Sequence, residues 1–246
     1  MMGCRKLYEL VRPPDMGRDR FEALLLSHGY RVAYPKPFIR TTQAVQGVYY
    51  PNLIEGLEIR DLNRVWQSDF TYIVLLATPY YLVTILDVYS RRIIGWQLAA
   101  HMQAESNLRA LQQALTLREQ ADLSGLIHHS DRGGQYLERQ YVSLLEGRGI
   151  RISMCLQAWQ NGYEERSHRS LKYEYLYAWK PKDERQLFAD VERAIHNYNH
   201  GRPHNSLPGH RTPVGFEEMI QAMPAEQRPV LKLFSEQEYL QASAVY

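Results

Sequence analysis

The clearest pattern along the chain is a block of three β-rich runs that begins at residue 65. Apolar, β-branched and aromatic residues dominate VWQSDFTYIVLLA at 65–77, YYLVTILDVYS at 80–90 and RRIIGWQLAA at 91–100. Runs of this composition, separated by short breaks, are typical of strands. We predict turns at Thr78–Pro79 and at Ser90–Arg91, so the three strands would form an antiparallel meander.

Beyond residue 100 the apolar positions recur at helical spacing. Four segments have this spacing: 104–120, 138–149, 161–179 and 183–200. Two short apolar runs lie between the first three of these segments and predict buried strands: LIHHS at 126–130 and RISMCL at 151–156. Strands that first meander and then alternate with helices form a mixed sheet flanked by helices. The expected fold class is therefore α/β.

The first 62 residues have a different character. RKLYELV at 5–11 and DRFEALLLSHGY at 19–30 predict two short helices, and Pro13 and Pro14 separate them. Residues 31–62 are irregular and contain several prolines and glycines, which is typical of a linker or arm. The predicted organisation is a small helical module at 1–45, a linker at 46–62, a core domain at 63–220 and a C-terminal tail at 221–246.

Composition and charge narrow the class of protein. The chain of 246 residues has no run of eighteen apolar residues, so we expect no membrane span. Its two cysteines, Cys4 and Cys155, form no C-x-x-C pair, which disfavours a structural zinc site and fits a reducing cytoplasm. The net charge is only +2, but residues 1–45 carry eight Lys or Arg against four Asp or Glu. This basic end fits either contacts to nucleic-acid phosphates or a solvated surface.

Three carboxylates are the strongest candidates for chemistry. Asp69, in VWQSDFTYI, lies in the first strand run, and Asp131, in LIHHSDRGGQY, follows the strand at 126–130. Glu165 lies near the start of the predicted helix at 161–179. Carboxylates from two strands and a helix can meet around a pair of divalent cations, an arrangement that promotes in-line displacement at a phosphodiester.

Glu164 is the rival of Glu165 as the carboxylate on the helix. Three basic residues follow Glu165 at i+3, i+4 and i+7 and share a helix face with it: His168, Arg169 and Lys172. The residue seven positions after Glu164 is a leucine, which suits no such role. We therefore favour Glu165 as the metal ligand and expect the basic residues on its face to contact the DNA backbone.

Other titratable residues of the strands have simpler explanations. Asp87, in ILDVYSRR, can be a ligand, but we favour a role in the following turn as a partner of Ser90 or Arg91. His128 and His129 precede Asp131, and strand alternation sends their side chains to opposite faces, so only one of them can approach the site.

Five segments resemble the sequence patterns of one family. NRVWQSDFTYI is similar to N-x-V-W-x-x-D-I/F-T-Y-I, and LDVYSRRIIGW is similar to D-x-x-S-R-x-I-x-G-W. HHSDRGGQY resembles H-S-D-x-G-x-Q-Y, NGYEERSHRSLKYE resembles N-A-x-x-E-x-x-x-x-x-L-K-x-E, and YNHGRPHNSLPGHRTP resembles Y-N-x-x-R-P-H-x-x-L-x-x-x-T-P. These are the patterns of the second-frame (OrfB) transposases of the insertion-sequence-three family, and the resemblance runs from about residue 3 to residue 218.

This resemblance implies a fold, an activity and a set of site residues. The expected fold is a ribonuclease H-like integrase core of the retroviral DDE type, preceded by a small helix-turn-helix-like module. The implied catalytic and metal-binding residues are Asp69, Asp131 and Glu165, with two Mg²⁺ or Mn²⁺ ions as cofactors. The implied reaction is cleavage and strand transfer of the DNA of an insertion element. The expected contacts to the DNA backbone come from Lys172, Arg169, His168, Arg5 and Lys6.

The resemblance also implies partners and leaves one alternative open. The expected partners are the ends of the element, the target DNA, further copies of the chain, and the upstream-frame (OrfA) product or a fusion with it, in the bacterial cytoplasm at the nucleoid. Between Asp131 and Glu165 lie 33 residues, two fewer than is usual in the family. A glutamate misplaced by this shortening would leave a catalytically decayed DNA-binding remnant that regulates transposition. A nuclease with the same core is disfavoured because of the N-terminal module and the RPH…TP segment.

Overall fold

This computed structural model describes residues 3–30, 49–101, 103–155, 157–233 and 235 of the chain. Part of the predicted N-terminal module and linker (31–48) and most of the predicted tail lie outside the described residues. At the N-terminus, α1 (Cys4–Val11) and α2 (Arg18–Ser27) confirm the two predicted helices. They pack through Tyr8 and Phe21, whose rings meet edge to face at 5.6 Å.

The predicted meander is present. After a short strand, β1 (Glu58–Ile59), the chain forms β2 (Val65–Leu75), β3 (Thr78–Asp87) and β4 (Ile93–Ala99). β3 pairs antiparallel with β2 on one side and with β4 on the other. The first predicted turn is wrong, however, because Thr78 and Pro79 already belong to β3. The connection is the two-residue turn Leu76–Ala77, in which both residues have positive φ, 48° and 70°, as a tight hairpin requires.

The alternating part of the chain completes the sheet. It contains α3 (Ala104–Leu117), β5 (Ile127–Ser130), α4 (Arg139–Glu146) and β6 (Arg151–Met154). The strand order is β4-β3-β2-β5-β6, and β5 and β6 run parallel to β2. The mixed sheet predicted from the sequence is therefore confirmed.

The long helical segment at 161–179 is one continuous run with two geometries. It begins as α5 (Gly162–Ser170), continues as a π-helical segment (Leu171–Leu176) and ends as α6 (Tyr177–Trp179). Helices α7 (Glu184–His200) and α8 (Pro213–Gln221) follow. Strand β7 (Leu231–Lys232) then returns to pair antiparallel with β1.

Alternation along the strands divides the core into two apolar clusters, one on each face of the sheet. Two neighbouring residues of β3 show this division. Leu82 belongs to the first cluster, which contains residues of α7 and α8, and Val83 belongs to the second, which contains residues of α3 and α4. Ile59 and Leu233 also belong to the first cluster. The predicted domain bounds of 63–220 stay a prediction, but residues on both sides of them pack into this core.

Candidate active site

The strand register brings Asp69 and Asp131 together. Ser68 of β2 and Ser130 of β5 are direct partners in the parallel pair, and the two aspartates are the next residues of their strands. Each carboxylate is oriented by a backbone N–H. Phe70 N–H donates to Asp69 Oδ1 at 2.9 Å, and Gly133 N–H donates to Asp131 Oδ1 at 2.9 Å. Two oriented carboxylates therefore lie side by side at the carboxyl end of β5.

Helix α5 carries both candidate glutamates, and their environments differ. The Glu165 side chain is exposed, and its negative charge contributes to the raised pKa of Asp69. Glu164 is fully buried, and its Oε2 accepts hydrogen bonds from Thr84 Oγ1 and Ser167 Oγ, both at 2.8 Å. Burial raises the pKa of Glu164 to about 8. Glu165 is thus free to reorient toward a cation, whereas Glu164 is bound to the sheet and to its own helix.

His168 lies between Asp69 and Glu164 rather than at the protein surface. Its Nε2 is 2.7 Å from Thr84 Oγ1, and its Nδ1 is 3.7 Å from Asp69 Oδ2. Because the Thr84 hydroxyl donates to Glu164, the Nε2–H of His168 donates to the Thr84 oxygen. Burial, aided by the charge of Lys172, lowers the pKa of His168 to about 3. His168 is buried in this position, with its ring next to Asp69, and the expected contact of His168 with DNA stays a prediction.

The electrostatics of the aspartate pair favour a cation. Burial and then the charge of Asp131 raise the pKa of Asp69 to about 8, against the hydrogen bond from Phe70. Burial also raises the pKa of Asp131. Two carboxylates that resist simultaneous ionisation are stabilised by a divalent ion between them. The Asp69 side chain is 26% exposed, so an ion can reach it from solvent.

The ligand atoms of the candidate site are of the type that magnesium and manganese prefer. All three candidate ligands, Asp69, Asp131 and Glu165, offer carboxylate oxygen, which these hard ions prefer. Among the residues that the structure describes, no three carboxylate, imidazole or thiol groups are already gathered closely enough to hold one ion. The exposed Glu165 would complete the set by a side-chain rotation.

Comparisons with known proteins agree with this fold. Two family models described as integrase core domain match residues 60–158 and 148–213. The chain is 31% identical over 215 residues to an uncharacterized 31 kDa protein of insertion element IS600 from Shigella sonnei, covering 85% of this chain and 78% of that one. It is 33% identical to the transposase InsF for insertion sequence IS3A of Escherichia coli, covering 63% of this chain and 54% of that one. The chain belongs to the insertion-sequence-three family of transposases. It spans only 61% of a putative IS986/IS6110 transposase from Mycobacterium tuberculosis, to which it is 33% identical.

Solved structures show the same fold. The HTLV-2 integrase catalytic core domain in complex with magnesium aligns with a TM-score of 0.51 at 20% identity, covering 68% of this chain and 99% of that one. An intasome of simian T-cell lymphotropic virus, in complex with a PP2A regulatory subunit, aligns with a TM-score of 0.55 at 18% identity, covering 92% of this chain and 77% of that one. The expected retroviral-type integrase core with a ribonuclease H-like fold is thereby confirmed for this family member.

The residues expected to contact DNA fall into two groups in this transposase. Lys172 lies near the acidic site, with its Nζ 4.8 Å from the centroid of the Tyr72 ring. Burial lowers its pKa to about 8, and the charge of Asp69 opposes that shift. Arg169, Arg5 and Lys6 instead line a cavity of about 480 Å³ between the N-terminal helices and α5. Helices α1 and α5 thus face each other across a cavity in which basic residues outnumber acidic ones.

The sequence analysis missed an ion pair that ties the helical run beginning with α5 to Arg202, which follows α7. Arg202 donates to both carboxylate oxygens of Glu174, at 2.6 and 2.8 Å, and to Ser170 Oγ at 2.9 Å. Lys6 Nζ binds the same glutamate at 2.8 Å. Glu174 and Arg202 lie in the L-K-x-E and R-P-H patterns, which were quoted above without any role for these residues. Their charges were the available signal, but no spacing rule links residues so far apart in sequence.

Within the described ranges, none of the helices combines the length and the apolar character needed to cross a bilayer.

Proposed function

We propose that this chain is a metal-dependent DNA transposase that cuts and joins the DNA of an insertion element. The observation that carries the proposal is that Asp69, in β2, and Asp131, directly after the neighbouring parallel strand β5, lie close to each other in an integrase core. With Glu165 from α5 they form the proposed catalytic and metal-binding set. Two magnesium or manganese ions are the proposed cofactors.

The ions would supply Lewis-acid stabilisation of the attacking and leaving oxygens during in-line displacement. The residues of the chain position the reactants. The N–H groups of Phe70 and Gly133 fix the two aspartates, and His168 packs against Asp69 from the side of the helix. Lys172 brings a positive charge close to Asp69, where the scissile phosphate would lie. Positioning and charge neutralisation are the main contributions expected of the protein in such reactions.

The partners follow from this reaction. The substrates would be the ends of the element and a target DNA, and the site of action would be the bacterial cytoplasm at the nucleoid. Joining two ends calls for more than one copy of the chain, so we propose a homo-oligomer on DNA. The upstream-frame product, either separate or fused, would contribute recognition of the ends.

The test is cleavage and strand transfer on duplexes that carry the element ends, with Mg²⁺, using purified full chain. Asp69→Asn, Asp131→Asn and Glu165→Gln are each expected to lower the joining rate by at least about 100-fold, the loss typical of removing one electrostatic stabiliser of a transition state. The matched control is Glu146→Gln, which changes an exposed carboxylate at the end of α4 and should join DNA at the parent rate. Joining by Asp69→Asn at the parent rate would overturn the proposal.

The remnant hypothesis makes a different prediction for metal binding. A decayed site would bind Mn²⁺ no better than the Asp69→Asn variant does. The proposal favours a functional site because Asp69 and Asp131 lie close enough for the charge of Asp131 to raise the pKa of Asp69, and burial raises the pKa of both.

A further inference from the structure

A basic pocket lies on the face of α5 opposite to Glu165. With about 100° of rotation per residue, Tyr163, Arg166 and Ser170 fall on one side of the helix, roughly 160° from the mean direction of Glu165 and His168. The first three line a cavity of about 240 Å³, to which Lys6, Arg91 and Arg202 also contribute. We refer to this cavity as the basic pocket. None of the described residues that line it is an Asp or a Glu.

The pocket has more positive charge than its neighbours neutralise. Lys6 and Arg202 share a single carboxylate, that of Glu174. Arg91 is 7% exposed, and its guanidinium stacks over the Tyr163 ring at 4.1 Å from the centroid. Its Nη1 has no hydrogen-bond partner among the described residues. A buried guanidinium with an unused donor is costly unless an acceptor meets it.

The surroundings of Arg91 add to this positive field. Arg166 is exposed at the rim of the pocket. Burial lowers the pKa of Arg91, and the charge of Arg166 acts in the same direction, whereas Tyr163, Tyr198 and Asp87 act against it. His204, which also lines the pocket, stays neutral, because burial and then the charge of Lys6 lower its pKa to about 3. An anion in the pocket would accept a hydrogen bond from Arg91 Nη1 and offset the repulsion between Arg91 and Arg166.

We propose that the basic pocket binds a phosphate group through Arg91 and Arg166. Guanidinium groups present paired N–H donors that match the oxygens of a tetrahedral oxyanion, and the volume is ample for one. The phosphate could belong to the backbone of bound DNA or be free inorganic phosphate. The pocket is separate from the metal site because the two lie on opposite faces of one helix. Binding there needs neither a metal ion nor an element end.

The first test measures inorganic phosphate binding to the full chain by calorimetry, in chloride buffer without divalent metal. Arg166→Gln is expected to raise the dissociation constant at least tenfold, and this exposed residue can be changed without risk to folding. Arg91→Gln should have the same effect, with circular dichroism to verify that the variant is folded. The matched control is Arg148→Gln, an exposed arginine after α4, which should bind phosphate as the parent does.

A second measurement identifies the source of the phosphate. The salt dependence of binding to a duplex of arbitrary sequence is compared between Arg166→Gln and Arg148→Gln. The quantity compared is the slope of the logarithm of the DNA-binding constant against the logarithm of the salt concentration. A DNA phosphate occupies the pocket if this slope is smaller in magnitude by about one in Arg166→Gln alone and if inorganic phosphate competes with the duplex. Loss of phosphate binding with an unchanged slope indicates a site for the free anion. The proposal is wrong if the parent does not bind phosphate, or if Arg166→Gln binds it as tightly as the parent. Neither result would affect the strand-transfer assay, so the two proposals fail separately.

Discussion

Adjacent residues can have opposite roles, as Glu164 and Glu165 demonstrate. Successive residues of a helix differ in direction by about 100°, so Glu164 points toward the sheet, where Thr84 and Ser167 bind its carboxylate, and Glu165 lies in solvent. The helix-face argument from the sequence favoured Glu165, and the structure gives a physical reason for the preference. The burial of Glu164 was not foreseen, because nothing in the local sequence marks one of two adjacent glutamates as buried.

Metal binding should distinguish the two glutamates. Glu165→Gln is expected to weaken Mn²⁺ binding at least about tenfold, because it removes a proposed ligand. Glu164→Gln should change the Mn²⁺ dissociation constant by no more than about twofold, since its carboxylate is already engaged by two hydroxyl groups. Titration followed by electron paramagnetic resonance measures both constants. The opposite pattern would make Glu164 the ligand.

Buried histidines should make the stability depend on pH. His128 donates to or accepts from Tyr141 Oη at 2.8 Å, and burial lowers its pKa to about 3. Below about pH 6.5 the unfolded chain binds a proton at this residue and the folded chain does not. The free energy of unfolding should therefore fall as the pH falls from 6.5 toward 5, and the slope due to His128 should rise from about 0.7 to about 1.4 kcal/mol per pH unit over this range.

The measurement is urea denaturation of the parent and of His128→Gln between pH 5 and pH 7.5. The variant should have the shallower pH dependence, whatever its absolute stability. The control is His101→Gln, at an exposed position, which should keep the slope of the parent. Equal slopes for the parent and His128→Gln would contradict the prediction.

At the scale of elements, the sequence was least informative where backbone geometry was unusual. The β2–β3 turn uses Leu76 and Ala77 at positive φ, although Asn and Gly are the residues that favour this conformation. Pro79 suggested a turn nearby, but it lies near the start of β3. The π-helical segment at 171–176 was likewise not predicted, since an extra residue within a helical turn has no compositional mark.

Replacing the turn residues should stabilise the hairpin. Leu76→Asn combined with Ala77→Gly is expected to raise the free energy of unfolding by about 1 kcal/mol, because side chains with a Cβ are strained at positive φ. The exposed fraction of Leu76 is 80%, so little burial is lost. Chemical denaturation measures the change, with Leu117→Asn as a control that removes another exposed leucine without altering a turn. A loss of stability in the double variant would contradict the prediction.

At the scale of the whole molecule, a buried ion cluster ties α8 to the sheet. Glu217 of α8 accepts hydrogen bonds from Arg92 at 2.6 Å, from Ser90 at 2.8 Å and from two nitrogens of Arg118. Burial alone would raise the pKa of Glu217, but the hydrogen bonds and charge of Arg118 outweigh it and lower the pKa. Asp87 lies in the same cluster, where its Oδ1 accepts from the N–H groups of Tyr89 and Ser90. The turn role favoured for Asp87 from the sequence is confirmed.

Neutralising Glu217 should destabilise the fold. Glu217→Gln leaves the buried guanidinium of Arg118 without its main counter-charge, and the loss of one partner of a buried pair costs about 3 kcal/mol or more. Glu218→Gln changes the adjacent exposed glutamate and should cost less than about 0.5 kcal/mol. Urea denaturation of the two variants measures the difference. Similar stabilities would mean that the cluster contributes little.

The strands, helices and sheet class were predictable because apolar periodicity is a local property. Asp69, Asp131 and Glu165 could be singled out because short patterns surround each of them. The contacts Arg118–Glu217 and Arg202–Glu174 join residues far apart in sequence, and no local pattern identifies such partners. The same holds for the basic pocket, because its residues come from α1, the β3–β4 turn, α5 and the segment after α7.

The pairing of β1 with β7 sets Glu58 opposite Lys232. Positions 58 and 232 of the chain are thus neighbours in the structure. A peptide linker of a few residues could join these two points, and new ends could be opened at the Leu76–Ala77 hairpin. A circularly permuted core of this kind would keep β2 paired with β5. Its two ends would lie at the β2–β3 turn instead of beside β1 and β7.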